Sequence, residues 1–260
     1  MATATSALLA GGDLLTAVRL GGAMVALQAS IGALNDVVDA PSDAGQKPGK
    51  PIPAGLVSPG IGRVVVVVGA GLGLALVTPS GPGLMVVAGL ILAIGYAYDV
   101  FAKGTAWSWV PLAVGIPLLP VFGWLGAAGR LPAPFAILLP AAVVAGTALA
   151  IANARADLER DTAAGQESVA TMLGPARAWR VHAALLAVVV LIALVSLWIG
   201  RAPSVAVGAV IGAAAVIGIG TTWARGPRSS APRRERAWEI QAIGVALLAA
   251  AWLAGIRELG

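Results

Sequence analysis

Residues 61–79 read IGRVVVVVGAGLGLALVTP. Arg63 is the only charge in the stretch, and the apolar residues run continuously instead of alternating with polar ones. That pattern predicts a helix, and its length is close to the roughly 20 residues needed to cross a bilayer. Working outward, the same reading gives eight spans: 13–34, 61–79, 83–100, 107–127, 133–154, 177–199, 202–223 and 237–257. The chain of 260 residues is 58% hydrophobic and 11% charged, against about 25% charge in a soluble domain. Its mean hydropathy is +0.90. Lipid offers the backbone no hydrogen-bond partner, so the spans must satisfy themselves as helices. The predicted fold is an all-α polytopic transmembrane bundle with cytoplasmic cap loops. It forms one membrane-embedded domain over 1–260, built from two pseudo-repeats, roughly 13–127 and 133–257. The 34 glycines and 17 prolines suit close packing and kinked spans. Gly69/Gly73 and Gly208/Gly212 fit the G-x-x-x-G spacing as packing features. The absence of cysteine excludes disulfides and thiol chemistry, and the start, MATATSALLAGG, lacks the basic region of a signal peptide.

The basic residues fix an orientation. Lys47, Lys50, Arg63, Lys103, Arg155, Arg160, Arg177, Arg180, Arg225, Arg228, Arg233, Arg234 and Arg236 fall beside the loops after odd-numbered spans. Arg130, Arg201 and Arg257 fall on the other side, and Arg19 lies inside the first span. The positive-inside rule places the richer face in the cytoplasm and both termini outside. Basic loops also account for the net charge of +5 without a nucleic-acid partner. Trp107, Trp109, Trp179, Trp223 and Trp238 fall near the same span ends, as an aromatic belt would.

The carboxylates gather on this face too. NDVVDAPSD at 35–43 and NARADLERD at 153–161 align at a constant offset, with 153 against 35, 157 against 39 and 161 against 43. This points to a parallel internal repeat with one polar cluster in each half. Asp36, Asp39 and Asp43 share a helical face, as do Asn153, Asp157 and Asp161 if the fifth span continues. Pro41 is expected to end the first helix near Ala40 and leave Asp43 on a bent segment. Convergent carboxylates without histidine or cysteine suit a hard, oxygen-liking cation such as Mg²⁺. The lone His182, inside an apolar span, reads as packing. Lys47, Lys50 and Lys103 would be superfluous around a bare cation, but they suit Mg²⁺ with a diphosphate.

NDVVDAPSD followed by KPGKPIPAG resembles the first aspartate-rich motif of the UbiA superfamily of intramembrane prenyltransferases. NARADLERDTAAGQESVATMLG (153–174) resembles the second motif, and GYAYDVFAK (95–103) the segment between them. The resemblance covers nearly the whole chain, with departures at Pro41 and at Gln166-Glu167. It implies a helical bundle whose cavity opens toward lipid. Asp36, Asp39, Asp43, Asp157 and Asp161 would hold Mg²⁺, and Lys47, Lys50 and Lys103 would contact the diphosphate. Asn35, Asn153 and Tyr98 would complete the substrate site. Tyr96, Tyr98, Phe101 and Trp107 could offer π-faces to an allylic cation, with interfacial anchoring the alternative and the preferred reading for Trp107. Family members usually have about nine spans with two before the first motif, and here there is room for one before Asn35, so the resemblance implies either that the family's first helix is absent or that the start of the chain lies further upstream. The implied activity is Mg²⁺-dependent transfer from a polyprenyl diphosphate to a hydrophobic, quinone-precursor-type aromatic acceptor. The enzyme would be integral to a prokaryotic cell membrane, in contact with its lipids. A membrane terpene cyclase and a transporter with a cation site are the alternatives. The acids' place at one membrane face, away from mid-depth, argues against transport.

Overall fold

A computed structural model describes residues 2–43, 49–226 and 229–257, and every regular element among them is helical. In chain order these are α1 (Ala2–Leu9), α2 (Leu14–Asp43), α3 (Pro59–Val77), α4 (Pro82–Ala97), α5 (Trp109–Ala128), α6 (Phe135–Ala156), α7 (Leu158–Ala163), α8 (Val169–Leu173), α9 (Pro175–Ile199), α10 (Ser204–Trp223) and α11 (Ala231–Arg257). A π-helical turn, Tyr98–Ala102, extends α4. Eight of these helices are long and apolar enough to cross a membrane, and they match the eight predicted spans. On α3, Val64, Val67, Val68 and Leu72 are all exposed. Such a surface would drive aggregation in water and suits contact with lipid. The protein is an integral membrane protein.

The helix starts follow local chemistry. The Ser58 hydroxyl accepts from the Ile61 N–H, and Pro59 fills the first position of α3, where a missing N–H costs nothing. Pro82 and Pro175 open α4 and α9 in the same way, each behind a glycine with positive φ. Asp13 accepts from the Thr16 N–H at 2.7 Å at the start of α2, and this bond holds its carboxyl below the usual value.

Two helix boundaries differ from the sequence reading. α2 does not stop near Ala40 but carries Pro41 inside it and runs to Asp43. A proline this close to the end removes one backbone bond and leaves little helix to disrupt. In the second motif α6 ends at Ala156, and Asp157 sits outside helical geometry at φ −92°, ψ 2°. Asn153, Asp157 and Asp161 therefore do not lie on one uninterrupted helix.

The chain forms two compact units. One comprises Thr3–Lys103 with Leu118–Arg130, the other Gly104–Pro117 with Leu131–Gly260. In the first, Gly69 and Gly73 let α3 close on α2. A Cβ at Gly69 would stand 2.8 Å from the Ala26 carbonyl oxygen, and one at Gly73 2.6 Å from Leu27 Cδ2. Gly208 and Gly212 share the spacing but have nothing within 4 Å, so there the pattern makes no packing contact among the described residues. Arg19, the charge inside the first span, donates to the Leu76 carbonyl at 2.7 Å and to Ser80 at 2.8 Å. It thereby caps the end of α3.

In the second unit, His182 is fully buried. Its Nδ1 donates to the Ala178 carbonyl at 3.1 Å and its Nε2 accepts from Gln241 at 3.3 Å. It is a satisfied core residue, as read. Trp179 is tied inward, donating to the Thr221 carbonyl at 3.0 Å. Trp223 is half exposed, as an interfacial residue would be.

Candidate active site

The first motif occupies the last turns of α2. Its i, i+1, i+4, i+8 spacing brings four side-chain oxygens round one nitrogen, Lys50 Nζ. Asn35 Oδ1 lies 3.2 Å from it, Asp36 Oδ1 3.0 Å, Asp39 Oδ2 3.2 Å and Asp43 Oδ2 2.9 Å. The predicted common face of Asp36, Asp39 and Asp43 is thus present, and Lys50 ties Asp43 to Asp39 across the proline. Asp39 also pairs with Lys103. Partial burial lowers the affinity of Lys50 for its proton. Its hydrogen bonds to Asp43, Asp36 and Asp39 more than compensate, and its pKa stands above that of a free lysine. Lys47 lies outside the described residues.

The segment after α4 faces this cluster. Lys103 N–H bonds back to the Tyr98 carbonyl at 2.9 Å, closing a π-helical turn, a geometry that recurs at functional sites. Asp99 and Lys103, four residues apart, meet Asn35 and Asp39, also four apart. Asp99 Oδ1 accepts from Asn35 Nδ2 at 2.9 Å, which leaves the Asn35 oxygen to face Lys50. Asp99 is buried, and its Oδ2 has no hydrogen-bond partner among the described residues. Tyr98 is half buried in the same turn. Tyr96 is held by Ser30 at 2.6 Å. Phe101 and Trp107 are exposed at 77% and 69%, which favours anchoring over enclosure of a cation.

The second motif is built differently. Asp157 caps α6 and pairs with Arg160 at 2.6 Å. The Asp161 carbonyl accepts from the Gln166 N–H at 2.8 Å. Asn153 is half buried in the last turn of α6. Glu159 pairs with Arg234, whose guanidinium also donates to the carbonyls of Arg155 and Ser229. An apolar cavity of about 670 Å³, lined by Pro134, Leu191, Val195 and Trp252 among others, lies at the opposite end of α6 from Asp157. It is distant from these polar groups.

No group of three or more histidine, cysteine, aspartate or glutamate side chains among the described residues is arranged as a ready metal site. The carboxylates of the first motif gather instead round an ammonium. That ammonium is a stand-in cation, and the donors round it are all oxygen, the set Mg²⁺ takes. The residues fit the metal.

The UbiA prenyltransferase family model matches residues 1–243. The chain belongs to the UbiA prenyltransferase family. A digeranylgeranylglyceryl phosphate synthase of Methanopyrus kandleri is 31% identical over 153 residues, which make up 57% of this chain and 55% of that protein. The alignment thus spans about half of that curated relative's length. A UbiA homologue of Aeropyrum pernix K1 superposes with a TM-score of 0.79 at 18% identity, covering 96% of this chain and 94% of that one. A UbiA homologue of Archaeoglobus fulgidus bound to GPP and Mg²⁺ gives 0.72 at 18% identity, with the same coverage.

In this UbiA-family chain, the residue that sequence reasoning left out of the site is Asp99. The signal is in the sequence: an acid within an otherwise apolar span is a functional-site candidate. Arg155 and Arg234 were read only as topology signals, yet both are buried.

Proposed function

We propose that the protein transfers an isoprenyl group from an isoprenyl diphosphate to a lipid-soluble acceptor, with Mg²⁺ bound at the first aspartate motif. One observation carries this reading: four oxygens from a single helix converge on one cation, and a second ammonium sits on the same carboxylate. Asp36, Asp39, Asp43 and Asn35 would hold the metal. Asp157 and Asp161 join the assignment on the strength of the sequence repeat, with Asn153 and Tyr98 as substrate contacts. Bound Mg²⁺ would supply charge to the departing diphosphate.

The chain's own groups do the rest. Lys50 and Lys103, with Lys47 by sequence, bind the diphosphate oxygens on which negative charge grows as the bond to the allylic carbon breaks. The bonding electrons leave with the diphosphate. The acceptor's nucleophilic atom bonds the allylic carbon and gives up its proton. The apolar spans exclude water, which would otherwise capture the allylic cation.

The sequence resemblance favours an aromatic acceptor. The name of the Methanopyrus relative favours a glyceryl phosphate carrying a prenyl chain. Purified protein should be given geranylgeranyl and longer diphosphates with Mg²⁺ and each acceptor class in turn. Diphosphate release that needs both metal and acceptor is the expected result. Release at the same rate without any acceptor would point to a cyclase, and no release with any pair would sink the reading.

The motif loops are assigned to the cytoplasm by the positive-inside rule. The chain has no native cysteine, so single cysteines at exposed Ala164 and Ser204 report their sides cleanly. An impermeant thiol reagent added to intact cells should label Ser204→Cys and spare Ala164→Cys. The reverse pattern would invert the topology.

A further inference from the structure

We propose that Lys50 is a placeholder for the divalent cation. Its ammonium fills the oxygen cage of α2 while metal is absent, and it gives up the cage when metal and diphosphate arrive together. The inference rests on the metal reading above and adds an order of binding to it.

The geometry is that of a cation site. Nζ lies 2.9–3.2 Å from Asn35 Oδ1 and from one oxygen each of Asp36, Asp39 and Asp43. An ammonium has three protons to donate and here faces four acceptors, so it fills the cage as a charge and cannot satisfy every oxygen. All four are oxygens, the donors Mg²⁺ takes, and they already converge on one point. Asp99 already fixes the Asn35 amide with its oxygen toward the centre. The cage is thus set before metal arrives.

Exchange has an electrostatic consequence. A free divalent ion must displace an ammonium that already balances part of the cage's charge, and the displaced ammonium would remain beside the new ion at like charge. Both effects oppose binding of metal alone. A diphosphate reverses the balance, because its oxygens give Lys50 a new partner next to the metal. Metal and diphosphate should therefore each strengthen the binding of the other, and linkage makes that coupling reciprocal. The enzyme would then not hold metal at rest, and its full complement of charge would assemble only round a substrate. A purely structural salt bridge would produce no such coupling.

Mn²⁺ titration followed by electron paramagnetic resonance, on the full chain in detergent and without diphosphate, tests this directly. Lys50→Gln should bind Mn²⁺ roughly tenfold or more tighter than the parent, since a neighbouring positive charge is gone. Lys50→Arg keeps the charge and should stay near the parent affinity. Should Lys50→Gln not fold, the parent protein gives the second readout. Acylation of the Lys50 amine, measured by mass spectrometry, should stay low at Mn²⁺ concentrations too weak to load the parent, rise once Mn²⁺ alone is raised until electron paramagnetic resonance shows it bound, and fall again when inorganic diphosphate follows. Equal Mn²⁺ affinity in parent and Lys50→Gln, or Lys50 acylation unchanged while Mn²⁺ is bound to the parent, overturns the placeholder alone. No Mn²⁺ uptake by any of these proteins, even with inorganic diphosphate present, overturns the metal reading beneath it.

Discussion

Asp39→Asn should reduce prenyl transfer by about 10²–10³-fold or more while leaving the protein folded in detergent. Asp39 is the carboxylate on which the site converges. It contacts both Lys50 and Lys103, and it is only 7% exposed. The asparagine keeps the shape and removes the charge, so it separates electrostatics from packing. Two ammonium groups would then face one another across a neutral amide, and a metal would lose a charged ligand. Asp36→Asn should do less, because Asp36 is more exposed and, among the described residues, meets Lys50 and not Lys103. The comparison needs initial rates at saturating Mg²⁺, with monodispersity on gel filtration as the folding control. A Lys103→Gln variant measured alongside should lose roughly tenfold to a hundredfold, the equivalent of one charge-assisted hydrogen bond of about 1.5–3 kcal/mol. If Asp39→Asn turns over at close to the parental rate, the first motif does not hold the metal.

The helices were legible because a bilayer imposes a length and an apolar character that any single span must meet by itself. Residues 61–79 could be read without knowing a neighbour, and α3 occupies 59–77. The common face of Asp36, Asp39 and Asp43 was legible for the same reason, since helical periodicity is local. Pro41 misled because a rule that is true of helix interiors was applied to the last turn. There Lys50, seven residues beyond Asp43, holds the end together through space. The break at Asp157 was equally invisible, because the run from Phe135 through Asp161 contains no glycine or proline near the break. What no local rule could supply is which charge meets which. Lys50 was expected on a diphosphate and is found on the aspartates. Both roles need the same flexible ammonium within reach of α2, and only the ligands present decide between them. Asp99 illustrates the converse, since its character as an intramembrane acid was visible but its partner, Asn35, was not.

Arg234→Ala should destabilise the protein more than Lys50→Gln or Lys103→Gln, the other substitutions of basic residues beside the loops. Arg234 counts in the sequence only among the basic residues of the cytoplasmic face, yet it lies in the first turn of α11 and its side chain is 3% exposed. Its guanidinium donates to the Arg155 carbonyl in the last turn of α6, to the Ser229 carbonyl, and to Glu159. Arg155, just as buried, donates to the Ala224 carbonyl at 3.3 Å, at the C-terminal cap of α10. Each arginine thus places positive charge at the negative end of a helix. Removing Arg234 strands two carbonyls that water reaches poorly, each worth about 1.5–3 kcal/mol when bonded to a charged donor. These losses do not add fully, and about 3–5 kcal/mol is the expected total. For a chain of this size the apparent melting temperature should fall by roughly 6–20 °C. Lysine should restore only part of it, because one ammonium cannot span three acceptors set for a planar fork. Glu159→Gln should change stability by less than about 1 kcal/mol, since Glu159 is 64% exposed. Thermal melts of the three variants in one detergent decide the matter. If Arg234→Ala melts within about a degree of the parent while Glu159→Gln melts lower, the guanidinium serves Glu159 and not the end of α6. Should the prediction hold, turnover measured well below the melting point should also fall, because α6 ends one residue before Asp157 and its last turn sets where that carboxylate stands.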